Sequence, residues 1–221
     1  MVTVIMCLTV TQRRSILKAM ATPEVSTQAV DDLVDKALSL KPAPAPLHHV
    51  QLLLNTRNLL GGYDLLSDHA TARRCLALIA ERDGEPAPRD DTEAALAELR
   101  DVREAIRDLL LAHSAGVPAG PEVVGRIRSA SADVLLAVEF DDSGNPVMAP
   151  PPNSSGVQRI TATVMAAIAS ADPDQLQRLK ACVNPGCGWV FFDTSRSRSG
   201  TWCAMNVCGA RHKMERYRGK R

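Results

Sequence analysis

Aromatic residues make up only 3% of this 221-residue chain. So few rings cannot fill a core, and any large interior must be built from Leu, Val, Ile and Ala. Long apolar runs are missing as well. No stretch approaches the ~20 apolar residues that cross a bilayer, so no membrane partner is expected. Met1–Val10 is apolar but short, and Arg13, Arg14 and Lys18 follow it instead of preceding it. That is the wrong order for a secretory signal. A cytoplasmic chain is expected, with residues 1–20 as an unstructured extension and Met20 as an alternative start. No Gly-rich phosphate loop and no serine–histidine pairing is present. With no catalytic constellation to point to, an enzyme is not expected.

What the chain does contain is unevenly distributed. Residues 1–20 hold three basic and no acidic side chains; residues 21–177 hold 13 Lys/Arg against 23 Asp/Glu; residues 178–221 hold 10 against two, Asp193 and Glu215. The formal net charge of +1 conceals an acidic body joined to a basic end. A compact basic end suggests a polyanion partner for that end alone. Trp189, Phe191, Phe192, Trp202 and Tyr217, most of the chain's rings, fall in the same segment. A module of roughly forty residues cannot bury enough surface unaided. It needs a few large rings and a staple.

The staple is a set of four cysteines. Cys182 and Cys187 enclose Val-Asn-Pro-Gly, and Cys203 and Cys208 enclose Ala-Met-Asn-Val. Two thiolate pairs separated by a hairpin-sized loop suit tetrahedral zinc, and four sulfurs close the shell. A closed shell leaves no place for substrate, so one structural Zn2+ is expected. In Asn184-Pro185-Gly186-Cys187, proline presets the first turn position and glycine tolerates positive φ at the second. Residues five apart on an α-helix point about 140° apart. Cys203 should therefore precede a helix, with Cys208 in its early turns. Two disulfides are the competing reading, but nothing indicates an oxidising compartment. Cys7 and Cys75 are isolated, read as a tail thiol and a buried core thiol.

The acidic body reads as helical. A short helix near Val30–Leu40 precedes the stiff Pro42, Pro44, Pro46 linker. Leu47–Leu60 is apolar and stops at Gly61-Gly62. Thr71–Ala80 continues the pattern. In Asp91–His113, Leu99, Val102, Ile106 and Leu109 recur at helical spacing, capped by Asp90-Asp91; His113 sits by the far end as a partner of the helix dipole. Pro121–Ser131 is a further helix. Val134–Phe140 turns β-rich, and Asp141-Asp142-Ser143-Gly144-Asn145 leads to Pro146–Ala149, a hairpin. Gly156–Ala171 is Ala-rich and ends at Asp172-Pro173. His48-His49 read as polar surface at a helix start, and Asn55, Thr56, Arg57 and Asp64 are candidates either for a small-molecule pocket or for local hydrogen bonding.

The segment Arg178 to Ser195, with Cys182, Cys187 and Asp193-Thr194-Ser195, followed by Trp202-Cys203 and Cys208-Gly209-Ala210-Arg211, resembles the CGNR-type zinc finger. Leu54-Asn55-Thr56 followed by Gly61-Gly62-Tyr63-Asp64 resembles the ABATE domain that precedes such fingers in bacterial proteins. The resemblance covers about residues 47–221. It implies a transcription regulator with its finger on DNA and a body sensing stress or a ligand. Alanine stands at position 210 where the family's tetrapeptide has asparagine, which puts in doubt local order or base preference but not zinc binding.

The residues support the same partner. At 100° per residue, Lys213, Arg216 and Lys220 fall within about 60° of one another. Arg211 and Arg218 form a second row, and Arg196 and Arg198 lie in the loop that follows Ser195. Such a helix suits the major groove of double-stranded DNA, with loop arginines on phosphate. A solvated basic tail is the plain alternative. The expected architecture is mainly α with a small β-hairpin: an extension over 1–46, a helical domain over 47–174, and over 175–221 a treble-clef-like or ribbon-like finger ending in a helix. A small-molecule effector, a homodimer, a protein-adaptor role and RNA stacking on Trp189, Phe191 or Phe192 stay open. A nucleoid location would follow from DNA binding.

Overall fold

The computed structural model describes residues 27–82, 92–184 and 186–219. Residues 1–26 of the expected extension, with Cys7 and Met20, lie outside the described residues, as do the Asp90-Asp91 cap, Pro185 and Lys220; the rest of it carries a helix whose Val30, Val34 and Ala37 are buried in the main core. Helices α1 (Thr27–Ser39), α2 (His48–Asn55), α3 (His69–Arg82), α4 (Glu93–Ser114), α5 (Pro121–Ser131), α6 (Gly156–Ser170) and α7 (Pro173–Arg178) form the body. Three antiparallel pairs accompany them: β1 (Arg57–Asn58) with β2 (Tyr63–Asp64), β3 (Ala137–Phe140) with β4 (Pro146–Ala149), and β5 (Leu179–Ala181) with β6 (Val190–Phe192). A π-helical turn, Met205–Gly209, opens the last helix, α8 (Ala210–Arg218).

The core is aliphatic, as the scarcity of rings requires. Leu47, Leu53, Leu54, Leu65, Leu66, Leu76, Leu96, Leu99, Ile106 and Leu110 are fully buried along α2, α3, α4 and the segment after β2. Cys75 lies among them, and burial pushes its thiol up to about 12. Leu109 is only half-buried, because Leu110 takes the inward position. No described helix is long and apolar enough to cross a membrane.

Three boundaries differ from expectation. Helix α2 ends at Asn55, not at Leu60. The Thr56 N–H and hydroxyl both turn back to the Leu53 carbonyl, at 3.3 and 2.7 Å, and the chain then enters β1. Gly61-Gly62 is the tip of the β1–β2 hairpin: the Gly61 N–H donates to Asn58 Oδ1 at 2.7 Å, and Gly62 has φ +70°. Helix α4 is capped by Thr92, whose hydroxyl accepts from the Ala95 N–H, so among described residues a neutral cap does what the aspartates were expected to do. Asp172 does more than stop α6. Its Oδ1 accepts from the N–H groups of Asp174 and Gln175 and so starts α7.

Candidate metal centre and its junction with the body

The first knuckle forms from its own turn chemistry. The Cys187 N–H donates to the Asn184 carbonyl at 2.9 Å across Gly186, which has φ +77°. Backbone N–H groups of Asn184 and Trp189 lie on the sulfurs of Cys182 and Cys187. The second pair sits where expected, Cys203 ahead of the helix and Cys208 within its opening turn. The π-helical form of that turn was not legible in the sequence. The Gly209 N–H reaches back five residues to the Ala204 carbonyl at 3.2 Å, and such widened turns recur at functional sites.

The four cysteines are buried and their sulfurs lie within 4.8 Å of one another. Cys203 Sγ is 3.8 Å from Cys187 Sγ and 3.7 Å from Cys208 Sγ. A tetrahedron with zinc–sulfur bonds of about 2.3 Å has edges of about 3.8 Å. The cage fits one structural zinc. Among themselves the thiols compete for a single negative charge. Hydrogen bonds from Cys187 and Cys203 favour a thiolate at Cys182, and the same contacts push the Cys187 thiol up to about 12 and that of Cys203 higher still. A central metal ion resolves the conflict by deprotonating every coordinating thiol.

A buried carboxylate braces the loop between the pairs. Asp193 accepts from Lys180 Nζ at 2.8 Å and from the N–H groups of Ser195 and Gly200 at 3.0 and 2.8 Å. Burial opposes its charge, but Lys180 and those N–H groups outweigh it and hold the carboxyl well below the usual range. A Cβ on Gly200 would fall 2.7 Å from Asp193 Oδ1, so this close approach requires glycine.

The finger is sewn to the body along both strands. Asn55, fully buried, donates to the carbonyls of Ala37 and Val190 at 2.9 Å and accepts from the Val190 N–H at 2.8 Å. Gln51 also donates to the Val190 carbonyl, at 3.2 Å. Buried Arg107 donates to the carbonyls of Gly188, at 2.5 Å, and Leu54. Ser114 Oγ accepts from the Ala181 N–H at 3.1 Å. Lys41 donates to the Trp202 carbonyl at 2.9 Å and lies over the Phe191 ring. Leu179, Ala181 and Val190 therefore belong to the body's own core.

The proposed pocket residues have other duties. Asn55 is committed to the junction. Thr56 accepts from Arg103 Nη1 at 3.0 Å, Asp64 takes a two-pronged bond from Arg103 at 2.7 and 2.6 Å, and Arg57 pairs with Glu104 at 3.3 Å. Of the two readings kept open for these four, hydrogen bonding is what the structure displays: Asn55 serves the junction, and Thr56, Asp64 and Arg57 join a network around the buried Arg103 and its neighbour Glu104. The apolar periodicity of α4 does not include Arg103 and Arg107. Their spacing of four, in step with Val102 and Ile106, was the signal that they share the buried face. His48 and His49 stack on each other at the start of α2, with ring centroids 3.9 Å apart.

The expected nucleic-acid residues divide. Arg211, Lys213, Arg216 and Arg218 lie on α8, where every residue from Arg211 onward is exposed. Arg196 is exposed in the loop, whereas Arg198 is held by Asp174 through two bonds of 3.1 and 2.7 Å. Trp189 and Phe191 are buried around the cysteines and Phe192 is half-buried, which removes the platform for base stacking. Trp202 packs against His212, with ring centroids 5.0 Å apart.

Fold and site define a zinc-finger protein in which the strands of a four-cysteine module join the core of a helical body, while the cysteines, Trp189 and Phe191 form a second cluster. The ABATE family model, described as "Putative stress-induced transcription regulator", matches residues 47–178. The chain belongs to this family. The CGNR zinc finger model matches residues 178–221. A search of curated proteins returns no match.

Proposed function

We propose that this chain is a transcription regulator that binds duplex DNA through α8 and the adjoining loop. One observation carries the reading: a helix braced at its start by the metal cage is exposed along its length and bears Arg211, Lys213, Arg216 and Arg218. A helix with no buried face gains little from the core, so α8 is held at its start and its exposed length is open to a partner. Its charge suits phosphate, with Arg196 in reach of the backbone and Arg198 already engaged by Asp174. The body sets where the helix points, because the knuckle strands are part of its core. A ligand or stress signal acting on the body would reach the finger through Asn55 and Arg107. The protein is not an enzyme on this reading, and a nucleoid location follows from it.

The test is the salt dependence of binding to duplex DNA. Affinity should fall steeply with salt, because each neutralised phosphate releases counterions. Replacing Lys213 and Arg216 by Ala should reduce the log–log slope by about two. An unchanged slope would reject α8 as the contact. A second reading, a zinc-braced protein adaptor, draws on the exposed Met205, Val207, Met214 and Tyr217 at the same end. It predicts no salt-sensitive DNA affinity.

A further inference from the structure

In hairpin β3–β4 the sequence pattern and the exposure disagree. Val134–Phe140 is apolar at every position but Glu139, the pattern of a strand covered on both faces. Yet Leu135, Val138 and Phe140 are 72%, 69% and 70% exposed, and Val147 and Met148 41% and 40%. The register puts Val138, Phe140 and Met148 on one face and Val147 on the other; at roughly 150 to 200 Å² per full side chain, the first three expose about 300 Å², at the low end of the largest apolar patches that monomers carry. A lone two-stranded hairpin is also marginal in water. A further strand would complete it.

The backbone says where. The Asp141 N–H bonds the Asn145 carbonyl, and bonded and non-bonded pairs alternate along an antiparallel ladder. Glu139↔Val147 is then a bonded pair, and Val138↔Met148 a non-bonded one, whose main-chain groups point outward. β4 contacts α6, and its outer edge begins with Pro146, which has no N–H to offer. On β3 the outward groups of Val138 and Phe140 bond no other described backbone.

We propose that β3 pairs with β3 of a second copy, making a four-stranded antiparallel sheet across a two-fold axis. The register centres on Val138, which exchanges both main-chain bonds with its counterpart, and Phe140 then falls opposite Leu136. Centring on Glu139 would set two glutamates directly opposite, which is destabilising. The patch is smaller than the ~800 Å² per partner of a standard interface, so the dimer is weak and concentration-dependent. It carries two fingers and stands whether or not they bind DNA.

Sedimentation of the zinc-loaded full chain between about 1 and 300 µM, a span that covers weak interfaces, is the test. The wild type should pass from monomer to dimer. Val138→Lys, a charge on an open edge, should raise the dissociation constant at least tenfold with zinc content and melting unchanged. Val138→Cys should give a disulfide-linked dimer under mild oxidation faster than the wild-type chain or Val147→Cys, because bonded partners sit about 5.5 Å apart. A wild type monomeric throughout overturns the proposal and leaves the edge to another occupant. A dimer indifferent to Val138→Lys, or equal cross-linking at 138 and 147, overturns it too.

Discussion

The two halves of the finger are held in opposite ways. The half that carries Cys182 and Cys187 belongs to the body: Leu179, Ala181 and Val190 lie in the main core, and Asn55, Gln51, Arg107 and Ser114 hold its backbone. The half that carries Cys203 and Cys208 has Lys41 and the Trp202–His212 contact, and its helix is exposed. Zinc takes two ligands from each. The ion is thus less the core of an independent module than a clamp between an anchored half and a free one. The usual picture, in which a small finger folds on its metal alone, applies here only to the outer half.

Metal removal should expose the difference most strongly. Structural zinc contributes on the order of 10 kcal/mol, and chelation or Cys208→Ser withdraws it. Amides of residues 203–218 should lose hydrogen-exchange protection, while the Val190 amide, bonded to Asn55 inside the core, keeps it. The finger should therefore come apart across its middle and not unfold as a unit. Equal loss of protection at Val190 and in α8 would erase the distinction between the halves.

Next in size is the network beneath the anchored half. Arg103 is 1% exposed and its charge is matched mainly by Asp64. Asp64→Asn leaves a buried guanidinium short of a partner and should cost about 3–5 kcal/mol, seen as a lower melting temperature of body and knuckle together. Acid acts on the same bond. Burial opposes the charge of Asp64, but Arg103 outweighs it and depresses the carboxyl below its ordinary value near 3.8. A depressed carboxyl contributes stability that is complete above the unfolded value and is lost as pH falls through the folded one. The wild type should therefore lose stability below about pH 4, and Asp64→Asn should flatten that limb.

The junction itself is the third target. Asn55→Ala strips the Val190 N–H and carbonyl and the Ala37 carbonyl of a buried partner, at about 1–3 kcal/mol. If the anchored half presents its sulfurs pre-organised, zinc affinity should fall as well, read by competition with a chromophoric chelator. A stability loss with unchanged zinc affinity would mean that the cage assembles without help from the body.

What the sequence made legible follows the range of the interactions. The knuckle depends on residues within a few positions of each other, so Asn184 to Cys187 could be read outright, as could the hairpin turn at Asp141–Asn145 and the start of α5. Asn55 could not. It resembled a pocket or helix residue because its partner, Val190, is 135 positions away. Arg107 meets Gly188 across 81 positions, a partner that nothing near it in the chain identifies. The same blindness moved the end of α2, since Gly61-Gly62 serves a hairpin whose far strand is fixed by Arg103 on α4. Local chemistry gave the metal site, whereas the coupling of that site to the body lives in contacts that only the fold brings together.

The smallest expected effect bears on the free half. Replacing Lys213 and Arg216 by Ala should move the melting temperature hardly at all, within about ±0.5 kcal/mol of stability. Both side chains are exposed, and alanine is the better helix former by a few tenths of a kcal/mol. A nine-residue helix is too short to persist in water by itself. What fixes α8 is its start, where the π-helical turn and Cys208 tie it to the metal and Trp202 meets His212. Removing charge further along leaves that start intact. A stability-neutral variant that has lost salt-sensitive DNA affinity would mark these residues as kept for a partner and not for the fold. A clear loss of stability would instead mean that α8 packs on the body in solution, and the contrast between the halves would fail at its exposed end.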